Sequence, residues 1–352
     1  MMPVRAECRF CDGTVLAEDG QPYFVAEVNS SHNGNLETAR AMIDAAADAG
    51  CNCVKFQSWS AASLYAESYY KENPIAKRFV ERFALVPAAL KEMADYCRYK
   101  GLAFSSTPYS EEEVDFLVDE CRVPFVKIAS MELNNLPFLE YIGRKAHPVV
   151  LSTGMGTMAE IRRAVEVLER AGTSDLLLLH CISVYPAAVE MLQLRNIVGL
   201  RRLFPHHPIG FSDHSEGFAA AVAAIALGAV LIEKHLTLDR TKVGMDNNMA
   251  AEPGDFKELI VQCNGIYRGL GAEERVLSTA EAMQREKMRR SVIVTRDLCA
   301  GDVLTRADLY AKRPGTGIPP EQMEQLIGKK LIRDVAADTL LHMEDIEGGE
   351  EV

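Results

Sequence analysis

Two histidines of this chain, His214 and His235, are spaced so that they could bind one metal ion. They end two consecutive apolar runs, "HPIGFSD" (207–213) and "VLIEKHLT" (230–237). If these runs are neighbouring strands, about 4.8 Å apart, two imidazoles could ligate one divalent ion and leave positions for water and substrate. Spacing alone is equally compatible with two ordinary core or helix-capping histidines.

Two lysines and four hydroxyl-bearing residues form a second set that could bind a substrate or take part in catalysis. Ammonium groups with hydroxyl donors around them suit a phosphate or a carboxylate, even on an otherwise acidic protein. Glu27 and Glu132 could act beside them as general acid and base. Alternatively, the lysines and glutamates form a buried ion network that only holds the fold closed. We call the lysine and hydroxyl set the anion cradle, and it would consist of Lys55, Thr107, Lys127, Ser130, Ser152 and Ser212.

Eight short strand-like runs must position these side chains. They alternate with amphipathic helical patterns such as "LETARAMIDAAADAG" and "MAEIRRAVEVLERAG", several of which close on glycine. Eight strand–helix units in about 250 residues predict a closed (β/α)8 barrel. A doubly wound open sheet is the alternative, but no Gly-x-Gly-x-x-Gly fingerprint follows the first strand. The predicted strands are 23–28, 53–59, 103–108, 125–130, 148–154, 176–183, 207–213 and 230–237.

The carboxyl ends of barrel strands open on one face, where the active sites of such barrels lie. Nearly every predicted strand of this chain ends in a residue that can ionise or hydrogen-bond. A purely structural barrel end would not need this. The pattern therefore predicts that the metal pair and the anion cradle meet in one site.

The alternating strand–helix pattern of the sequence ends near Glu281, where "EAMQREKMRRS" forms a charged connector. Short β-type runs follow in "SVIVTRDL" and "DLYAKRPG". We predict a barrel domain over residues 23–280 and a small, mainly β domain over 286–347. Residues 1–22 form an N-terminal extension, expected to be a hairpin that covers the barrel bottom. The tail, residues 348–352, is expected to be disordered.

Composition argues against several classes of protein. A formal net charge of −12 over 352 residues disfavours a nucleic-acid or anionic-membrane binder. No apolar run approaches the roughly 18–20 residues of a spanning helix, and the N-terminus has no apolar signal core, so we expect a cytoplasmic protein. The nine cysteines are scattered through apparent core strands, which predicts reduced packing thiols. Cys8 and Cys11 are expected in a surface hairpin rather than at a metal.

The ordered motifs of this chain resemble those of the sialic acid synthase family. The resemblance spans about residues 22–347 and is carried by "AEVNSSHNG", "VKFQSW", "STPYS", "KIASMELNN", "LSTGM", "HCISVYPA", "GFSDHS", "EKHLT" and "AKRPGTGI". It implies a (β/α)8 barrel followed by an antifreeze-like (SAF) domain. It also implies a metal-dependent condensation of phosphoenolpyruvate with an N-acetylated amino-sugar aldehyde, giving a nine-carbon 2-keto sugar acid and phosphate.

Carried over by position, the resemblance implies roles for individual residues. His214 and His235 would hold the ion, typically manganese, with magnesium or cobalt as alternatives. Glu27 and Glu132 would bind the amino sugar or assist proton transfer and water attack, beside Lys55 and Lys127. The implied phosphoenolpyruvate contacts are Lys55, Thr107, Lys127, Ser130, Ser152 and Ser212. The implied acceptor-sugar contacts are Asn73, Ser183, Tyr185, Asp246 and Arg313.

The resemblance further implies a swapped homodimer in which Arg313 reaches the barrel of a partner subunit. The chain departs from the family pattern at three places. Asn29, Ser30 and Ser31 precede His32 where the family usually has a Gly and an Asn, Ser183 replaces an Asn, and "GMDNNMA" (244–250) replaces a Gly-Pro-Asp-His pattern. All three are expected at the amino sugar, so a legionaminic-type or spore-coat-type product is a real alternative to N-acetylneuraminate.

Two other functions are compatible with the residues alone. One is a lysine Schiff-base aldolase on the same barrel, with Lys127 as the nucleophile. The other is a non-catalytic sugar-binding protein that uses the small domain for recognition. The nearly complete set of polar strand ends weighs against the second.

Overall fold

The computed structural model describes residues 6–242, 244 and 246–349. The chain divides into two compact units, Met1–Gly271 and Ala272–Val352. Parts of the predicted N-terminal extension and tail, residues 1–5 and 350–352, lie outside the described residues. So do Val243 and Met245, which fall in or beside the segment predicted to bind the acceptor.

A β-hairpin precedes the barrel. Its strands β1 (Glu7–Arg9) and β2 (Val15–Ala17) pair antiparallel, with Cys8 opposite Leu16. Cys8 is buried, whereas Cys11 lies exposed in the turn that joins the strands. All nine cysteines are free, and seven of them are buried.

Eight parallel strands of the larger unit form one sheet, in which neighbours in sequence are neighbours in space and the last strand pairs with the first. They are β3 (Tyr23–Glu27), β4 (Cys53–Gln57), β5 (Ala103–Thr107), β6 (Val126–Ile128), β7 (Val149–Ser152), β8 (Leu176–Cys181), β9 (Ile209–Asp213) and β10 (Leu231–His235). Between β5 and β6 the described residues form no strand ladder, but the Ser105 hydroxyl donates to the Phe125 carbonyl at 3.0 Å. The sheet is thus a nearly closed barrel, which confirms the predicted fold class.

Each predicted strand is longer than the observed one. The observed strands stop earlier at their carboxyl ends in most cases, because the chain there turns to place polar side chains at the barrel mouth. For example, β6 ends at Ile128, and a 3-10 turn, Ser130–Glu132, follows at once. The runs were therefore located correctly, while their ends were decided by the loops.

Helices cover the outside of the barrel, and α6 continues directly into a π-helix over Phe116–Cys121. Among the residues described, no helix is both long and apolar enough to cross a membrane. The helices of this unit are α1 (Leu36–Ala49), α2 (Ala61–Leu64), α3 (Glu67–Glu72), α4 (Pro74–Phe83), α5 (Pro87–Tyr99), α6 (Glu111–Asp115), α7 (Leu136–Arg144), α8 (Met158–Ala171), α9 (Arg195–Leu203), α10 (Ala219–Ala226) and α11 (Pro253–Leu270).

Strand alternation separates the barrel into an outer core and an inner core. On β10, Ile232 belongs to the core between sheet and helices, and Leu231 belongs to the smaller apolar cluster inside the barrel. Since successive side chains point to opposite faces, Glu233 and His235 continue the inner row of Leu231. The lower half of the barrel interior is thus apolar and the upper half is polar.

The N-terminal hairpin closes the lower end of the barrel. Phe10 is 2% exposed, and its ring centroid lies 4.5 Å from that of Phe125 and 5.8 Å from that of Tyr23. Cys8 and Leu16 join the same inner cluster. The hairpin therefore acts as a plug, which leaves the carboxyl ends of the strands as the open end.

An excursion between β4 and α5 builds one side of the barrel mouth. Its short helices α2, α3 and α4 pack around a cluster of Trp59, Tyr70, Val80 and Phe83. This cluster is separate from the main core, so the excursion carries its own apolar support and can present side chains to the mouth.

The smaller unit is mainly β, as predicted. After helix α12 (Thr279–Met288), strands β11 (Ser291–Val294) and β12 (Leu309–Lys312) pair antiparallel. Helix α13 (Met323–Leu326) and several isolated bridges complete it. Its own apolar core includes Val292, Val294, Leu309, Leu331 and Leu341.

Candidate active site

A cavity of about 320 Å³ opens at the carboxyl ends of the barrel strands. Its position follows from the fold, because the hairpin fills the opposite end and the apolar cluster fills the lower interior. Twelve of the fifteen predicted site residues line it: Glu27, Lys55, Thr107, Lys127, Ser130, Ser152, Ser183, Tyr185, Ser212, His214, His235 and Asp246.

The floor of the cavity is a buried ion network centred on Glu233. One carboxylate oxygen of Glu233 lies 3.5 Å from Lys127 Nζ, and the other lies 3.7 Å from Lys55 Nζ. The Ser212 hydroxyl also donates to Glu233, at 2.9 Å. Glu27 forms a direct ion pair with Lys55 from the adjacent strand. Two cations and two carboxylates are therefore packed into a site with almost no exposure to water.

The two carboxyl groups of this network differ in their proton affinity. Burial raises the pKa of Glu27 to about 7, although Lys55 opposes the shift. Burial also acts to raise the pKa of Glu233, but the ammonium groups of Lys127 and Lys55 outweigh it and lower that pKa to about 2. Glu233 is thus ionised between the lysines at neutral pH, whereas Glu27 can exchange a proton there.

Hydroxyl groups surround the two ammonium groups. Lys127 Nζ donates to Ser152 Oγ at 2.8 Å, and Lys55 Nζ donates to Thr107 Oγ1 at 3.3 Å. Ser130 Oγ accepts the Gly154 amide at 2.9 Å and so faces the same space. This set of donors can bind a phosphate or carboxylate group by charge-assisted hydrogen bonds.

The two histidines stand side by side above this floor. Their ring centroids are 5.5 Å apart, and the Tyr185 ring packs on His214 at 4.3 Å. His214 Nδ1 lies 2.7 Å from the Ile182 carbonyl oxygen, so it carries the proton, and the lone pair is on Nε2, which lies 3.3 Å from Ser212 Oγ. Burial lowers the pKa of both imidazoles, which keeps them in the neutral form that binds metals.

Asp246 lines the cavity next to the histidine pair. Its carboxylate accepts a hydrogen bond from the Asn29 side chain and lies 3.7 Å from His235 Nδ1. Burial raises the pKa of Asp246. Asp246 is therefore held beside the histidine pair, where it can accept a hydrogen bond from a substrate hydroxyl.

Three of the predicted site residues do not line this cavity. Glu132 is half-buried outside it and accepts the Asn135 side-chain amide at 2.8 Å. Asn73 is exposed at the junction of α3 and α4, where its side-chain amide donates to the Tyr69 carbonyl at 3.2 Å. Arg313 is an exposed residue of the smaller unit. The roles of these three residues stay predictions.

Several lining residues were not singled out from sequence, and Glu233 is the most important of them. Its position in the sequence indicated a role, because a glutamate in an otherwise buried run needs a partner for its charge. Gln57 and Tyr109 gave no such signal. The Gln57 amide nitrogen lies 3.4 Å from Glu27 Oε1, and the Tyr109 hydroxyl donates to Gln57 at 2.9 Å. Trp59 also lines the cavity, from the excursion.

The larger unit is a nearly closed (β/α)8 barrel with buried lysines, hydroxyls and paired imidazoles at its open end. A small β-rich domain follows it in the sequence, and this combination defines a class of barrel enzymes. A family model confirms this assignment: residues 42–275 match the NeuB family, and residues 289–347 match the SAF domain. The chain belongs to the NeuB family, and it is an enzyme of the transferase type.

Individual relatives cover nearly the whole chain. The N,N'-diacetyllegionaminic acid synthase of Legionella pneumophila subsp. pneumophila is 32% identical over 92% of this chain and 94% of its own length. The N-acetylneuraminate-9-phosphate synthase of Mus musculus is 32% identical, with 98% of each chain covered. Among solved structures, an N-acetylneuraminic acid synthetase from Leptospira borgpetersenii, determined as a citrate complex, has a TM-score of 0.74. It is 30% identical, and the match covers 81% of this chain and 96% of that one.

Proposed function

We propose that this protein condenses phosphoenolpyruvate with an N-acetylated amino-sugar aldehyde, giving a nine-carbon 2-keto sugar acid and inorganic phosphate. One observation carries the proposal: two buried lysines, ringed by hydroxyls, share a single cavity with two neutral imidazoles. The names of the relatives support it, since they describe synthases of nonulosonic acids. An N-acetylmannosamine-like acceptor is the first candidate, and the three departures from the family pattern make a legionaminic-type acceptor the second.

In this proposal the floor of the cavity binds phosphoenolpyruvate. Lys127 with Ser152, and Lys55 with Thr107, supply paired ammonium and hydroxyl donors for its phosphate and carboxylate. Ser130 and Ser212 complete the cradle. Phosphoenolpyruvate would displace Glu233 from part of its contact with the lysines. The negative charge of Glu233 therefore sets how strongly the cradle holds an anion.

The reaction itself needs one carbon–carbon bond and one water. C3 of phosphoenolpyruvate attacks the aldehyde carbon of the open-chain sugar, whose oxygen takes up a proton. Positive charge at C2 is met by water, which gives up a proton, and the tetrahedral intermediate then collapses to the ketone with loss of phosphate. Glu27 is suited to handle a proton in these steps, because its pKa of about 7 allows both protonation states at neutral pH.

The residues present fit a divalent metal at the histidine pair. His214 Nε2 carries the lone pair that could coordinate, and burial keeps both imidazoles neutral. No group of three or more His, Cys, Asp or Glu side chains arranged to hold an ion occurs in the part of the chain that the structure describes. His214 and His235 would thus hold manganese, or magnesium or cobalt, with water and substrate as the other ligands. Such an ion would act as a Lewis acid toward the aldehyde oxygen.

We also propose that the enzyme is a swapped homodimer to which Arg313 contributes in trans. Arg313 is exposed in the smaller unit and has a guanidinium group suited to an anionic or polar substrate. The resemblance at "KRPG" supports this assignment.

The decisive experiment measures phosphate release from phosphoenolpyruvate with a panel of N-acetylated hexosamines. It is run with added manganese and, in parallel, with excess EDTA. We expect release with one sugar, loss of release in EDTA, and recovery when manganese is restored. His206→Ala, at an exposed histidine, is the control for His214→Ala and His235→Ala, and only the latter two should abolish metal binding in a calorimetric titration.

One observation favours a second candidate function. Burial lowers the pKa of Lys127, as a Schiff-base lysine requires. If borohydride traps pyruvate on Lys127 and activity is full in EDTA, the protein is an aldolase and the proposed synthase function is wrong. If no trapping occurs and phosphate release depends on the metal, the aldolase function is excluded.

A further inference from the structure

Asn29 has a backbone conformation that favours glycine. It follows Glu27 by two residues, and its φ of 34° lies in the left-handed region. Asparagine is among the few residues other than glycine that adopt this region readily. The family pattern usually has a Gly and an Asn before the histidine of this motif, where this chain reads Asn29, Ser30 and Ser31.

Asn29 lines the cavity, and the residue as a whole is 5% exposed. Its Nδ2 donates to the Asp246 carboxylate, and the backbone amide of Asn29 donates to Glu27 Oε1 at 2.7 Å. Because only the nitrogen end can face a carboxylate, the oxygen end is fixed as well. Asn29 Oδ1 is buried and has no hydrogen-bond partner among the described residues.

A second hydrogen bond joins the same two segments. Ser31 Oγ donates to Asn247 Oδ1 at 2.5 Å, and Asn247 Nδ2 donates to the Lys242 carbonyl at 3.1 Å. Two of the three departures from the family pattern therefore contact each other and form one unit. The unit holds Asn29 in place before any substrate binds, which reduces the entropy lost on binding.

We propose that Asn29 is a specificity-determining residue: its Oδ1 accepts a hydrogen bond from an N–H or O–H donor of the acceptor sugar. The inference rests on the proposed function, which places an amino-sugar aldehyde in this cavity. A buried acceptor without a donor is unfavourable, and a substrate donor removes that penalty. Acceptors that lack this donor would then be rejected, because they leave Oδ1 unpaired.

The test compares wild type with Asn29→Gly, which removes the carboxamide and suits the positive φ. We expect kcat/KM for the acceptor to fall by about tenfold, the value of one hydrogen bond, while KM for phosphoenolpyruvate changes less than about twofold. Ser31→Ala is the matched control, because it removes the other bond between the two segments and keeps Oδ1. It loosens the segment but keeps the group that binds the donor, so an acceptor analogue without that donor should cost Ser31→Ala about as much as it costs wild type.

Acceptor analogues that lack one donor at a time identify the group that Asn29 binds. Removal of that group should cost wild type about tenfold and cost Asn29→Gly almost nothing, whether the group is the acetamido N–H or a hydroxyl. Equal acceptor kinetics in wild type and Asn29→Gly would overturn the inference. Loss of the donor preference in Ser31→Ala would also overturn it, because the preference would then come from anchoring the segment.

Failure of the proposed function can be distinguished from failure of this inference. If wild type releases no phosphate with any acceptor, N-acetylmannosamine is titrated calorimetrically into wild type and Asn29→Gly. Tighter binding by wild type supports the role of Asn29, and equal binding or none overturns it.

Discussion

Lys234 and Asp213 form an ion pair of 2.8 Å on the outer face of two neighbouring barrel strands, and each directly precedes one of the site histidines. Both side chains are fully or almost fully buried. Lys234 also donates to the Ser215 carbonyl at 2.7 Å, and Asp213 accepts the Ser215 amide and hydroxyl. A network on one face of the strands thus fixes the backbone from which His235 and His214 project on the other face.

Breaking this pair should destabilise the protein strongly. Lys234→Met leaves the Asp213 carboxylate buried without its cation, so we expect a loss of about 3–5 kcal/mol in the free energy of unfolding. The double variant Asp213→Leu/Lys234→Met should recover part of that loss, because no charge is then left unpaired. Urea denaturation measures all three. Lys91→Met, which breaks an exposed pair with Asp95, is the control and should cost less than about 1 kcal/mol. A loss for Lys234→Met no larger than that of the control would contradict this account.

Lys127 should determine the affinity for phosphoenolpyruvate. Lys127→Met removes one ammonium donor from the cradle, and a charge-assisted hydrogen bond of about 1.5–3 kcal/mol predicts a KM for phosphoenolpyruvate that rises about 10–100-fold. KM for the acceptor should change much less. Lys145→Met, at a lysine paired with Asp115 on the outside of the barrel, is the matched control. An unchanged KM in a folded Lys127→Met protein would remove Lys127 from the binding site.

The N-terminal plug should matter for stability and not for catalysis. Phe10→Ala leaves a cavity between Tyr23 and Phe125, and truncation of a buried phenylalanine costs about 3–5 kcal/mol. Val15→Ala, on the exposed face of the same hairpin, should cost about 0.5 kcal/mol or less. Denaturant titrations measure the two losses, and phosphate-release assays at low temperature should show unchanged KM values. Equal stability of the two variants would mean that the plug is not part of the core.

Arg313 and His235 variants should complement each other if the arginine acts in trans. Mixing inactive Arg313→Ala and His235→Ala subunits produces hybrid dimers in which one of the two sites is intact. Random exchange then restores about a quarter of wild-type activity in a twofold dimer. Each variant mixed with itself is the control. No recovery after subunit exchange has been confirmed by mass spectrometry would exclude the trans role.

Much of this molecule could be predicted from sequence. Apolar runs separated by amphipathic helices located all eight strands, since a parallel strand buried on both faces has a distinctive composition. Polar residues at the ends of those runs identified eleven of the residues that line the cavity, and the family resemblance added Asp246. Both results rest on local rules, namely the period of a strand and the common direction of strands in a barrel.

The tertiary structure decided which of those side chains meet. Sequence spacing could not show that Glu233 lies between Lys55 and Lys127, because the three residues come from three different strands. It could not show that Asn29 contacts Asp246, some 217 positions away along the chain. Asn73, implied at the acceptor site by the resemblance alone, donates from its side chain to the Tyr69 carbonyl, and its site role stays a prediction. The local sequence determined the strands and their polar ends. Closure of the barrel determined which charged groups meet, left Asn29 Oδ1 without a partner among the described residues, and raised the pKa of Glu27. All three depend on distances between segments that only the fold brings together.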